Sequence, residues 1–144
     1  MISEFDLIMV CLVGMALTLS KQPKRTAVGL CVAALLLVIG ADYFLSGVTF
    51  YWVAFGIELS VGYILWILSH DIFTRHDRMY YRALSAFMWC SCVVTGLYIY
   101  DVGQYSSHSL YAATSSRIGL AHALFMVFFS DTVISSGILR KGVA

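Results

Sequence analysis

From Ala83 to Tyr100 the chain runs eighteen residues without a single Asp, Glu, Lys or Arg. At about 1.5 Å of helical rise per residue such a run covers most of a bilayer core, and it is too long for an ordinary strand. It is one of five apolar runs, roughly 5–20, 26–46, 48–69, 79–100 and 118–138. Short polar pieces that hold most of the charge separate them. Charged residues make up 12% of the chain and apolar ones 60%, against roughly 25% and 45–50% in soluble domains. A soluble helical domain would need polar helices to cover this much apolar surface, and no segment is polar enough. The expected fold is therefore all-α: one integral membrane domain over 1–144, a bundle of five transmembrane helices. The first run is the shortest, about 24 Å of helix.

The basic residues set the expected orientation. With five spans, Lys21, Lys24, Arg25, Arg75, Arg78, Arg82, Arg140 and Lys141 fall on one side and Arg117 on the other. Eight of the nine Lys and Arg on one face is a positive-inside pattern. It puts the N-terminus outside and the C-terminus in the cytoplasm, in a membrane of the bacterial inner type. The first run carries its charge after the apolar stretch and lacks a small-x-small cleavage site before Lys21, so it reads as a retained helix. Aromatic residues such as Tyr43, Phe44, Tyr51 and Trp52 crowd the expected interfaces, which is the ordinary belt. The connection from Asp101 to Arg117 is the largest expected piece outside the membrane.

Few residues remain that topology does not explain. Glu58 lies near the middle of the third run, where an ionised carboxylate costs at least about 2.5–3.5 kcal/mol. It is either a proton- or cation-handling group or a neutral acid hydrogen-bonded to a neighbouring helix. Asp131, in the fifth run, is expected to pair with Arg82 in the fourth; the competing reading has Arg82 snorkelling alone and Asp131 facing a polar cavity. His122 falls half a turn out of phase with Asp131 and shares a helix face with Ser115, Gly119 and Met126. As a lone membrane histidine it is a packing hydrogen-bonder or a polar lining group. Glu58, Asp131 and His122 are thus the candidates for an ion or proton pathway.

The stretch from His70 to Arg78 carries two His-Asp pairs, but its interleaved arginines would repel a cation. Arg75, Arg78 and Arg82 form one basic stripe suited to anionic lipid heads. Cys11, Cys31, Cys90 and Cys92 make no CxxC spacing and read as packing residues. No metal or cofactor is expected: bis-His haem would need a second axial histidine near His122, and His70 lies at the opposite membrane face. Small-xxx-small pairs recur: Gly14/Thr18, Gly29/Ala33, Gly56/Ser60, Cys92/Gly96 and Ser115/Gly119/Ala123. The fourth run adds a stripe of Arg82, Ser85, Trp89, Cys92 and Gly96. Such seams let helix backbones approach closely.

No phosphate-binding loop, dinucleotide fingerprint, nucleophile elbow or zinc-protease helix is present, so no enzyme activity is expected. A net charge of +1 offers nothing to nucleic acid. The leading expectation is a pore or ion/proton pathway built by a homo-oligomer in the lipid bilayer. The alternatives are a non-catalytic subunit that binds other membrane subunits, and a holin-like lysis protein of viral origin.

Overall fold

A computed structural model describes residues 4–101 and 108–131, and these form five helices. They are α1 (Glu4–Leu19), α2 (Lys24–Phe44), α3 (Val48–Ser69), α4 (Arg75–Asp101) and α5 (His108–Phe128). Helices α2, α3 and α4 are each long and apolar enough to cross a membrane. The described residues are therefore all-helical with three helices of spanning length, which is compatible with a membrane location. The α2–α3 connection turns on Gly47, whose φ of 66° and ψ of −143° suit a residue without a Cβ.

The five helices close into a ring. Each packs on its neighbour in sequence, α5 returns to α1, and α2 touches α4 across the ring; α3 and α4 share the most extensive contact. Contacting pairs give the directions. Tyr51 meets Tyr98, Gly62 meets Trp89, and Arg82 lies over Trp66, so α3 and α4 are antiparallel. Gly119 lies against Met9, and Asp131 accepts the Lys21 backbone N–H, so α1 and α5 run parallel. Short connections force antiparallel neighbours, and a fifth helix closing on the first must then run with it.

Polarity is distributed as a lipid solvent requires. Leu7, Leu36, Leu37, Trp52, Leu97 and Leu124 are exposed on the exterior, whereas Lys24, Ser69, Ser85, Thr95, His122 and Ser130 are buried. The expected α4 stripe lies on the α3 interface. Ser85 Oγ donates to the Gly62 carbonyl at 2.7 Å, Cys92 Sγ approaches the Phe55 carbonyl, and Gly96 faces the Phe55 ring.

The fifth helix departs from expectation. It begins at His108 rather than near Ile118, and α4 continues to Asp101. Most of the expected outer connection is thus helical, and Arg117 sits within α5 as an exposed residue. Thr114, Ser115 and Ser116 lower the hydropathy there and read as a loop; in the fold, Ser115 continues the inward face of His122. The helix also stops early, with a turn at Phe129–Ser130 ahead of Asp131. The rest of the expected fifth run, 132–138, lies outside the described residues. So do Arg140 and Lys141.

Candidate functional site

The ring holds a half-open cavity of about 190 Å³ lined by side chains from all five helices. Asp6 of α1, Glu58 of α3, Ser91 of α4 and Ser115 of α5 supply its polar wall at one level. About two turns away along α5, toward the Lys24 end, His122 joins Cys31 of α2 with Met9, Met88 and Met126. Glu58 is the only α3 residue on the lining. Glu58 and His122, both named from sequence as candidates for one pathway, face one space. The seam of Ser115, Gly119, His122 and Met126 lies along its wall.

Glu58 is half-buried and bonded to α4. Thr95 Oγ1 stands 3.0 Å from Glu58 Oε2 and 2.9 Å from the Ser91 carbonyl oxygen. A hydroxyl has one hydrogen to give. Both contacts are hydrogen bonds at once only when Glu58 is the carboxylic acid and donates its own proton; the carboxylate instead takes the Thr95 hydrogen from Ser91. The site therefore offers a hydrogen-bond arrangement to each protonation state of Glu58. His122, 8% exposed, stacks on Phe87 at 5.1 Å and turns Nε2 toward Cys31 Sγ at 3.7 Å.

Asp131 belongs elsewhere. Its expected pairing with Arg82 is corrected: Asp131 Oδ1 lies 2.9 Å from Lys24 Nζ, and Oδ2 accepts the Lys21 N–H at 3.0 Å. The turn at Phe129–Ser130 takes Asp131 off the α5 axis and brings it to the α1–α2 connection. Asp131 does not line the cavity and leaves the set of pathway candidates. Arg82 instead places its guanidinium over the Trp66 ring at 5.2 Å, and its Nε has no hydrogen-bond partner among the described residues.

Lys24 is the residue that sequence reasoning missed. Its side chain is 1% exposed, and Nζ also donates to the Phe129 carbonyl at 3.0 Å and lies 3.9 Å from Asp77. The ammonium sits over the Tyr80 ring, whose hydroxyl donates to the Met126 carbonyl at 3.3 Å, and Tyr81 donates to the Pro23 carbonyl at 2.6 Å. This cluster ties α2, α4 and the end of α5 together beneath Met126, the last cavity residue of α5. The missed signal was the length of the α1–α2 connection, which brings Lys24 back under the bundle.

The remaining basic stripe is divided among three roles. Arg78 donates to the Ile72 and Phe73 carbonyls of the α3–α4 connection, Arg82 covers Trp66, and Arg75 is exposed. No group of three or more His, Cys, Asp and Glu converges as a metal site among the described residues. Likewise no protein-family model, curated protein or solved structure matches the chain.

Proposed function

We propose that this chain is a small integral membrane protein whose interior conducts protons or small cations. The observation that carries the reading is the convergence of Glu58 and His122 on one half-open cavity lined by all five helices. An ionisable side chain within a membrane bundle normally faces its interior and serves a relay or ion path. Glu58 is the central proton carrier, with alternative hydrogen bonds through Thr95. Asp6 and Ser115 lie toward one mouth, and the Lys24 cluster closes the other end. In the positive-inside orientation, that closed end is cytoplasmic. One chain supplies the polar lining of this cavity from all five helices.

Gly14, Gly29 and Gly56 support a second element of the reading, association. A Cβ on any of them would meet nothing within 4 Å. Their seams with Thr18, Ala33 and Ser60 are unused within the bundle, which favours packing against copies of this chain or other membrane subunits.

The test is proton uptake by vesicles holding the purified full-length chain, with a trapped pH dye and an imposed potassium diffusion potential. Wild-type protein acidifies the lumen, and Glu58→Gln reduces uptake to that of protein-free vesicles. Wild-type uptake no faster than protein-free vesicles sinks the proposal.

A further inference from the structure

The inner half of the cavity has a chemistry that proton transfer does not use. Cys31, Met9, Met88 and Met126 are 4%, 6%, 7% and 2% exposed, and they line the cavity together with His122. We propose that these five side chains form a binding site for a soft monovalent cation of the Cu(I) or Ag(I) type. The inference rests on the cavity and not on conduction through it.

Geometry is the first support. Cys31 Sγ and His122 Nε2 lie 3.7 Å apart, from α2 and α5. At bond lengths like those of zinc, about 2.3 Å to sulfur and about 2.0 Å to nitrogen, one ion holds those atoms roughly 3.5–3.7 Å apart at angles near 110–120°, and a larger ion such as Ag(I) needs only slightly more. The pair can therefore clasp one ion with little movement. Stacking on Phe87 sets the plane of the imidazole, so the ring is already oriented.

Donor type is the second support. Thiolate and thioether sulfur select soft ions, and imidazole accommodates them, whereas magnesium and calcium need oxygen. Methionine side chains from α1, α4 and α5 line the same cavity, each long and adaptable enough to move its sulfur onto an ion. Charge sets the valence. As the metal–sulfur bond forms, the Cys31 thiol loses its S–H proton to solvent, so a monovalent ion replaces one proton and the buried site keeps its charge. A divalent ion would leave an uncompensated positive charge in a low-dielectric interior, which is costly. No electron is transferred. Asp6 and Glu58, on the same cavity, give an approaching cation an acidic route inward.

Silver is the cleaner probe because it needs no reductant. Cys11 and Cys90 are exposed and Cys92 faces Phe55, so all three are first changed to Ala, leaving Cys31 as the one thiol. This purified full chain in detergent is expected to retain one Ag(I) per molecule through dialysis against a histidine buffer. Cys31→Ala in that background abolishes retention, and Met126→Leu, close in volume, weakens it by roughly tenfold or more. Retention that survives Cys31→Ala, or none in the parent, overturns the site. Should the variants unfold, X-ray absorption of wild-type protein loaded with Cu(I) under ascorbate decides: one nitrogen with two or more sulfur neighbours supports it, and sulfur alone overturns it. Proton flux without silver retention defeats only the metal site; retention without flux defeats only conduction.

Discussion

At the scale of the residue, Lys24 is the side chain whose removal the fold should tolerate least. Its ammonium is 1% exposed and is held by Asp131, the Phe129 carbonyl and the Tyr80 ring. Replacing it by Met leaves Asp131 Oδ1 and that carbonyl without the ammonium, and Asp131 keeps only the Lys21 N–H on its Oδ2. Loss of one partner of a buried pair costs about 3–5 kcal/mol, and the 29% exposure of Asp131 lowers this to roughly 2–3 kcal/mol. Asp131→Leu should cost a similar amount. The double substitution should cost well under the sum of the two losses, as read by a double-mutant cycle in chemical denaturation. Arg82→Ala and Asp131→Leu should add within about 0.5 kcal/mol, since the two residues share no partner. Strong coupling between them would restore the pairing expected from sequence. The reason that expectation failed is local: matched depth in two helices does not say which faces meet, and one turn at Phe129–Ser130 redirected the carboxylate.

At the scale of the element, the α3–α4 pair concentrates the close packing. The Ser85 hydroxyl reaches the Gly62 carbonyl, and a Cβ on Gly62 would lie 2.6 Å from the Trp89 ring. Gly62→Ala must displace that indole, which also packs on Trp66 at 5.7 Å. Overpacking of this kind costs about 1–3 kcal/mol, seen as a lower midpoint in denaturation. Gly56→Ala, two turns earlier on α3 with open space about it, should be neutral or stabilising by up to about 1 kcal/mol through helix propensity. A large loss at Gly56 would show that another helix covers its seam. From sequence, Gly56 with Ser60 reads as a packing seam because it fits a small-xxx-small pair. Gly62 fits none; its role depends on the large ring opposite, which no spacing within α3 reveals. By contrast the stripe from Arg82 to Gly96 was legible, because its period alone keeps those residues on one face of α4.

At the scale of the whole molecule, the ring brings the α1–α2 connection, the start of α4 and the end of α5 to one end, where most of the basic residues gather. If that end is cytoplasmic, a cysteine placed at Ser46 should react with an impermeant thiol reagent from outside intact cells, and one at Thr74 only after lysis. The reverse pattern would invert the orientation, and labelling of both from outside would undo the span arrangement. The seam of Ser115, Gly119, His122 and Met126 needed only the helical period to be read, and it lines the cavity. That Glu58, His122 and Cys31 share one space was beyond reach, because they come from three helices whose relative rotation no local pattern states. Composition and period determined that the chain is helical, which of its faces are apolar, and that its charge collects in connections, because these follow from backbone geometry and solvent alone. Which helix ends meet, which carboxylate receives Lys24, and which polar faces enclose a common cavity were decided only when the five helices packed. Those outcomes depend on the rotation and register of each helix against its neighbours, and both are set by side chains far apart in the chain.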